Sequence, residues 1–510
     1  MTKENEPIIP MITNDKENNM TNKNRIRSIL LVLSMLAAAS VISCGSESNP
    51  ADTAADTAPA VTAAVSEAET EAPPAYTDDM PDLDLDGYQF RILSELWTHD
   101  NTYGAHRMMY DDYTGNPVND VLHESTLYIE ERFNCDIVMI DGGDPYQMEG
   151  NTTNIVLGGE DGFDIAVGHD GIMRSMAQKG IFCNIYDIEQ FNFDKPWWQP
   201  SKGLDFLGDL YFASSYLSFT GLHWTRALIV NKDYMRSIDR EMPYDLVRDG
   251  KWTLDAMLAF VKDSSNDIDG DGKLDPTVDK VAFATGGETL YCMQEALGIR
   301  TYRRTEDSIV LDLDVERAET GLTKLREFHK TGEFLHDTST QFAEPHFMTG
   351  NVLMVYGQIG DAYNYYRDCD FAYGFLPSPK FDEAQESYLN CCTDMPWAIP
   401  NTISEEQGDI IGTVVEAMSC RNYLYVLPAY FDVAMKSRTA DTEEDAEMLQ
   451  LIADTRILPY ARSYDLRFGA LYQDLFNKNK NVASYYEAQK NNAEKTLNKL
   501  IAAYEDMRNN

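Results

Sequence analysis

The chain has 510 residues, with 84 Asp and Glu against 42 Lys and Arg, a formal net charge of −42. Such acidity excludes a nucleic-acid binder and a protein that docks on anionic lipid headgroups, since both need basic surface. With 43% hydrophobic residues the chain can bury sizeable cores, so a packed globular body is expected.

The first informative stretch is Ile29 to Ser43, apolar or small throughout and preceded by Lys23, Arg25 and Arg27. That is the charged and short apolar region of a secretory signal, below the ~20 apolar residues of a spanning helix. Met1 to Asn19 is polar and mixed in charge, so a start at Met20 would give a more compact signal. The signal ends at Val41-Ile42-Ser43-Cys44, which resembles the bacterial lipobox. The resemblance implies that Cys44 is lipidated, becomes the first mature residue and tethers an extracytoplasmic protein to the cell membrane; an uncleaved anchor or a chance free cysteine is the alternative. Removing residues 1–43 leaves 467 (510 − 43), room for two or three domain-sized units.

From Gly45 to Asp82 the chain is Ala, Thr, Ser, Pro, Asp and Glu, with nine acidic residues and no basic one. Such composition buries little and reads as a disordered spacer over residues 44–82. Order is expected from residue 83 to 510. Tyr88–Leu93 alternates like a strand, Val118–Phe133 has helical spacing, and Cys135–Ile140 and Phe163–Val167 read as further strands. A helix near Ile172–Gln178 follows. Ala227–Val230 is the next strand, and Thr253 can cap a helix with Leu254, Met257, Leu258 and Val261 on one face. Strands at Val281–Ala284, Asn351–Tyr356 and Phe371–Phe375 alternate with helices near Met293–Leu297 and Glu316–His329. After Pro400 the chain reads as mainly helical, ending in a helix with Tyr486, Ala493, Leu497, Leu500, Ile501 and Tyr504 on one side. This alternation implies an α/β fold with parallel sheet covered by helices. Apart from Cys44 the seven cysteines are scattered, without Cys-x-x-Cys spacing, and read as buried free thiols.

Several stretches in this order are similar to the extracellular solute-binding proteins of ATP-driven (ABC) importers, carbohydrate type, family 1-like. They are Gly115-Asn-Pro-Val-Asn-Asp-Val, Glu130-Glu-Arg-Phe133, Lys195-Pro-Trp-Trp198, Val230-Asn-Lys-Asp233, Pro243-Tyr-Asp-Leu-Val, Gly250-Lys-Trp-Thr253, Phe347-Met-Thr-Gly350 and Gly374-Phe-Leu-Pro-Ser-Pro-Lys380. The resemblance runs from about Asp84 to the C-terminus. It implies a two-lobed, periplasmic-binding-protein-like (type II) fold, two interleaved α/β lobes with the ligand in the cleft. Lobe closure would trap the ligand, and a membrane permease would receive the closed, monomeric form. A hinge closes on a ligand only if the ligand contacts both lobes.

Sugar clefts need flat apolar faces together with carboxylates or amides for hydroxyls, carried on loops after strands. The candidates are Trp197 and Trp198 after Lys195-Pro196, Trp224 and Arg226 beside the Ala227 strand, Tyr363 after Gly360-Asp361, and Asp394 with Trp397 between prolines. Core packing is the alternative for each tryptophan, and Trp252, just before a helix, reads as packing. Gly168-His169-Asp170 is cleft-edge material. The loop Asp267-Ile-Asp-Gly-Asp-Gly-Lys-Leu-Asp275 follows the calcium-loop pattern, with Asp267, Asp269, Asp271 and Asp275 as oxygen ligands and the Lys273 carbonyl between them. Its twelfth position is Val278, with Asp279 one residue late; an acidic turn without an ion is the alternative. A bound Ca2+ would stiffen a lobe.

No Gly-x-Ser-x-Gly, His-Glu-x-x-His or phosphate-binding Gly-Lys-Ser/Thr is present. The sequence therefore reads as a non-enzymatic, lipid-anchored binding protein that delivers a carbohydrate, expected to be an oligosaccharide, to a permease. A binding protein for a peptide or amine, and a surface glycoside hydrolase with two carboxylates at fixed separation, are the rivals.

Overall fold

The computed structural model describes residues 76–95, 108–287, 289–305, 308–337, 339, 342–435, 443–478 and 480–509. The signal segment, Cys44 and most of the spacer lie outside the described residues. Those described belong to one compact unit, Pro73–Asn510.

In chain order the strands are β1 (Tyr88–Ser94), β2 (Cys135–Asp141), β3 (Ile165–Val167), β4 (Arg226–Asn231), β5 (Val281–Gly286), β6 (Tyr302–Arg304) and β7 (Ile309–Leu311). They continue with β8 (Phe334–Asp337), β9 (Val352–Gln358), β10 (Tyr373–Leu376), β11 (Asn390–Cys391), β12 (Trp397–Ala398) and β13 (Arg456–Ile457). Two sheets carry the two lobes. The first has the order β12-β3-β1-β2 and the second β10-β4-β9-β5-β8. In the first sheet β1 runs parallel to β2 and β3, while β12 is antiparallel to β3. In the second, β5 runs parallel to β8 and β9, while β4 is antiparallel to β9 and β10.

The two antiparallel strands reveal the connection between the lobes. Each is entered by chain arriving from the other lobe: β4 after the first lobe, β12 after the second. Because each runs against its parallel neighbours, each begins at the carboxyl edge of its sheet, so both crossings join the sheets edge to edge at their carboxyl ends. That edge is where open α/β sheets place ligands.

Local chemistry accounts for the elements. Helix Pro117–Phe133 starts where Asn116 accepts from the Val118 and Asn119 amides, and stops at Asn134, in the left-handed region at φ 49°. Thr253 accepts from the Ala256 amide to start helix Leu254–Val261. Alternation along β4 sends Leu228 and Val230 into the second-lobe core with Trp252 and Met257, and Ala227 and Ile229 into the apolar cluster continuous with the first lobe. The last helix, Val482–Asn509, spans about 42 Å at 1.5 Å per residue. Ala493 packs in the second-lobe core, while Leu497, Leu500 and Tyr504 join the first-lobe cluster, the Tyr504 ring tilted 38° against Phe206 at 4.5 Å.

The end of the acidic stretch is ordered. Asp78 and Asp82 pair with Arg132 at 2.7 and 3.2 Å, Asp79 pairs with Lys195 at 2.6 Å, and Tyr76 meets Trp197 edge-on. Composition assigned these residues to the spacer, but three acidic side chains there find basic partners on the body. Apart from Cys183, half-buried, the free thiols Cys135, Cys292, Cys369, Cys391, Cys392 and Cys420 are buried. Among the described residues no helix is long and apolar enough to cross a membrane.

Candidate ligand-binding site

At the carboxyl edge of the first sheet, Glu95 follows β1 and His169 follows β3. The Glu95 side chain is fully shielded, and its carboxylate lies 2.7 Å from His169 Nδ1 and accepts the His169 amide at 3.0 Å. This close approach leaves no room at Gly168, where a Cβ would fall 2.7 Å from Ile172 and 3.3 Å from Glu95 Oε2. Trp224, half-buried in the first crossing, places its ring 5.9 Å from the His169 ring at 37°. Asp170 opens helix Asp170–Ala177; burial raises its pKa against the pull of Arg462, Arg174 and His169. Arg174 donates to the Arg462 and Ser463 carbonyls, and the Arg462 guanidinium lies 4.4 Å over Tyr291 of the second lobe.

At the carboxyl edge of the second sheet, Arg226 begins β4 and Asp361 follows β9 in helix Ile359–Asn364. Glu344 lies in helix Ala343–Met348. Asp361 accepts the Gln358 amide at 2.7 Å; burial, reinforced by Glu344, pushes it up to about 8. Burial also raises Glu344. For Arg226, burial opposes the charge, but Cys292, Tyr291, Asp361 and Glu344 together outweigh it, and the guanidinium stays charged.

The crossings are locked to each other and to both lobes. Asp394, in the second crossing, accepts from the Ser214 hydroxyl and from the Met395 amide at 2.8 Å. His223, in the first, has both ring nitrogens engaged, Nδ1 with the Tyr430 hydroxyl at 2.9 Å and Nε2 with the Asn364 amide at 3.0 Å. Burial lowers His223 to about 4. Tyr363 stacks on Tyr430 at 6.1 Å and 3°, and burial pushes its hydroxyl up to about 12.

Of the residues singled out from the sequence, Trp224, Arg226 and Tyr363 therefore gather around the first crossing. Trp197, Trp198 and Trp397 were expected on ligand-facing loops; the structure places all three in the first-lobe core. Glu416 accepts both indole donors of the pair, Trp197 at 3.0 Å and Trp198 at 2.7 Å. Trp397 donates to Ser215 and packs tilted against Trp198, ring centroids 5.8 Å apart. Asp394 is buried and fastens the crossings. Glu95, Glu344 and Asp361 were missing from the sequence list. The rule that ligands lie after parallel strands points to Glu95 and Asp361; Glu344, inside a short helical pattern, carries no comparable mark.

In the acidic loop, carboxylate oxygens of Asp267, Asp269 and Asp271 lie within 4.8 Å of one another, all exposed. Asp275 instead accepts from the Thr277 amide and hydroxyl, and Asp271 accepts from the Lys273 amide. Asp279, the late candidate for the last ligand, has Oδ1 on the Ile268 amide at 2.8 Å and Oδ2 on the Asp275 amide at 2.9 Å. It staples the loop ends together.

Two lobes joined by crossings at the carboxyl edges of their sheets define the fold of the two-lobed solute-binding proteins. Solved structures share it. UgpB from Mycobacterium tuberculosis in complex with glycerophosphocholine superposes with a TM-score of 0.51 at 15% identity, over 81% of this chain and 99% of that one. A cyclo/maltodextrin-binding protein complexed with maltotetraose gives 0.50 at 14% identity, over 86% and 98%. No family model matches the sequence, and no curated protein matches it. At these identities the likeness is one of fold.

Proposed function

We propose that the chain is the substrate-binding protein of an ABC importer, that it captures a carbohydrate, an oligosaccharide, between its lobes, and that it hands the closed complex to a membrane permease. The observation that carries this reading is that both sheets bring polar side chains to the carboxyl edges joined by the crossings. Trp224 offers an aromatic face beside His169 and Glu95 from one lobe, and Arg226, Glu344 and Asp361 stand on the other. A flat ring with carboxylates and a guanidinium suits the apolar and hydroxyl faces of a pyranose. The fold leaves the cargo open, since it holds glycerophosphocholine in one relative and maltotetraose in another; the side chains at the crossings favour a sugar. The lipobox-like Cys44 supports anchoring outside the cytoplasmic membrane.

The test is thermal unfolding of the chain lacking residues 1–43 and carrying Cys44→Ala, against saccharides and, separately, peptides and amines. A ligand at about 100 times its Kd that binds only the folded state adds ~2.7 kcal/mol and raises the midpoint. A response confined to saccharides supports the reading. A response confined to peptides or amines contradicts it, and release of sugar from a chromogenic glycoside would favour a hydrolase.

We also propose that Asp267, Asp269 and Asp271 hold Ca2+ in a structural role, with the Lys273 carbonyl beside them, Asp275 being held by Thr277 instead. The convergence of three carboxylates supports this, because like charges at that range repel and a divalent cation relieves them. Water would complete the coordination, as Asp279 is committed to the backbone.

A further inference from the structure

The first-lobe loop 203–209 is gripped by three elements from later in the chain. The loop is itself a tight hairpin: Phe206 and Asp209 exchange both backbone hydrogen bonds, at 2.8 and 3.1 Å, around Leu207 and Gly208, both at positive φ. Leu210 roots it in the first lobe, its carbonyl accepting the Ile185 amide at 2.7 Å. Arg304, in the hairpin β6–β7, donates to the Gly203 and Asp205 carbonyls and pairs with the Asp205 carboxylate at 2.6 Å. That hairpin leaves the second lobe between helices Thr289–Ala296 and Val315–Lys330, both packed in the second-lobe core. The Tyr464 hydroxyl donates to the Leu204 carbonyl at 2.6 Å. Arg508, at the end of the last helix, donates to the Leu207 carbonyl and to Asp209. Both arginines are exposed, so their ion pairs alone hold little. The packing beneath holds more: Tyr302 and Ile309 of the hairpin and Tyr504 of the helix are buried in the apolar cluster continuous with the first lobe.

The last helix turns this grip into a link between the lobes. Its Val482 amide donates to Glu319 of the second lobe, and Ala493 is buried in that lobe's core. About three turns further on, Tyr504 is fully buried against Phe206, with the Tyr211 ring 5.5 Å away. No glycine or proline, the residues at which helices kink sharply, lies between Val482 and Asn509. Rotation of one lobe against the other about the crossings must therefore bend an uninterrupted helix or pull Tyr504 and Arg508 off the first lobe. We propose that the last helix, the β6–β7 hairpin and loop 203–209 form a strut that fixes the angle between the lobes, so that the complex handed to the permease has the lobe angle of the ligand-free chain. A ligand shifts a conformational equilibrium only by its differential affinity for the two states. The strut raises any rotated state by each contact that rotation breaks, and capture proceeds by fit to a preset cleft. This holds whatever the cleft contains.

Double electron–electron resonance between spin labels on Asn154→Cys and Glu327→Cys tests this, in the chain lacking residues 1–43 and carrying Cys44→Ala. Both positions are exposed, one on helix Pro145–Leu157 of the first lobe and the other on helix Val315–Lys330 of the second. The remaining cysteines are buried or half-buried, and the chain without the added pair is the labelling blank. The ligand-free protein should give one narrow distance peak. Maltotetraose, or whichever saccharide of the panel above raises the midpoint, should leave that peak in place. Arg304→Ala with Tyr504→Ala should broaden the peak or add a second; if that pair fails to fold, Arg304→Ala with Arg508→Ala serves instead. A broad or double peak in the parent chain, a shift on adding a stabilising saccharide, or a folded variant with the parent's peak overturns the strut. If no saccharide binds, the capture reading fails, while the ligand-free and variant distributions still decide the strut.

Discussion

Asp394 and Gly221 meet where the two crossings touch: a Cβ on Gly221 would lie 2.6 Å from Asp394 Oδ2. The contact is buried on both sides and joins segments 173 residues apart (394 − 221). A methyl group there must displace a carboxylate already held by Ser214 and the Met395 amide. Gly221→Ala should destabilise by about 1–3 kcal/mol, the usual cost of overpacking, read as a lower midpoint in denaturant. An unchanged midpoint would mean that the crossings are free to shift.

Glu416 gives the first-lobe core a pH dependence. Burial pushes it up to about 7 despite the two indole donors. A carboxyl raised in the folded state contributes its full stability below the unfolded value near 4.3 and loses it as pH rises through about 7. Glu416→Gln cannot titrate and leaves one indole without an acceptor. Its cost should be about 1–3 kcal/mol at pH 5 and shrink by pH 8, measured by urea unfolding at both values.

His223 acts on the acid side. Its folded value near 4 lies below the unfolded 6.5, so its stability is present above pH 6.5 and is lost as pH falls toward 4. The full effect, from lowering the value from 6.5 to about 4, is up to about 3 kcal/mol. The stability difference between wild type and His223→Gln should narrow by up to that amount from pH 7 to pH 4.5. The imidazole also fills the space over Gly360, where a Cβ would lie 2.3 Å from the ring, so the variant should start from lower stability at pH 7.

Much of the fold was legible because its strands are buried and its helices capped. Tyr88–Leu93, Cys135–Ile140 and Ala227–Val230 were recognisable from alternation or apolar runs, and helix Pro117–Phe133 from its spacing. β8 (Phe334–Asp337) was missed because Phe-Leu-His-Asp neither alternates nor stays apolar. The antiparallel direction of β4, and β12 altogether, were hidden, since strand direction depends on which lobe the chain has just left. At the site, sequence marks a tryptophan but not its environment. Trp224 and Trp397 both stand beside polar residues near a strand, yet one is half-buried beside His169 and the other lies in the core. Glu344 was illegible for a related reason: an acid in a helix is usually solvated, and only tertiary packing removes its partners.

The acidic loop makes a separate prediction. If Asp267, Asp269 and Asp271 hold Ca2+, chelator should lower the thermal midpoint by a few degrees and added Ca2+ should restore it, with Asp269→Ala losing the response. An equal midpoint with chelator and with millimolar Ca2+ would leave the loop as an acidic turn stapled by Asp279.

The central claim is that a sugar is held at the crossings, with Trp224 supplying its aromatic face. Trp224→Ala compared with Trp397→Phe, each titrated with the saccharide that stabilises wild type, tests it most directly. The account predicts that Trp224→Ala weakens binding at least on the order of tenfold with little change in the ligand-free midpoint. Trp397→Phe should instead lower that midpoint and keep affinity within a few-fold. Undiminished binding by Trp224→Ala would contradict the placement of the ligand at the crossings.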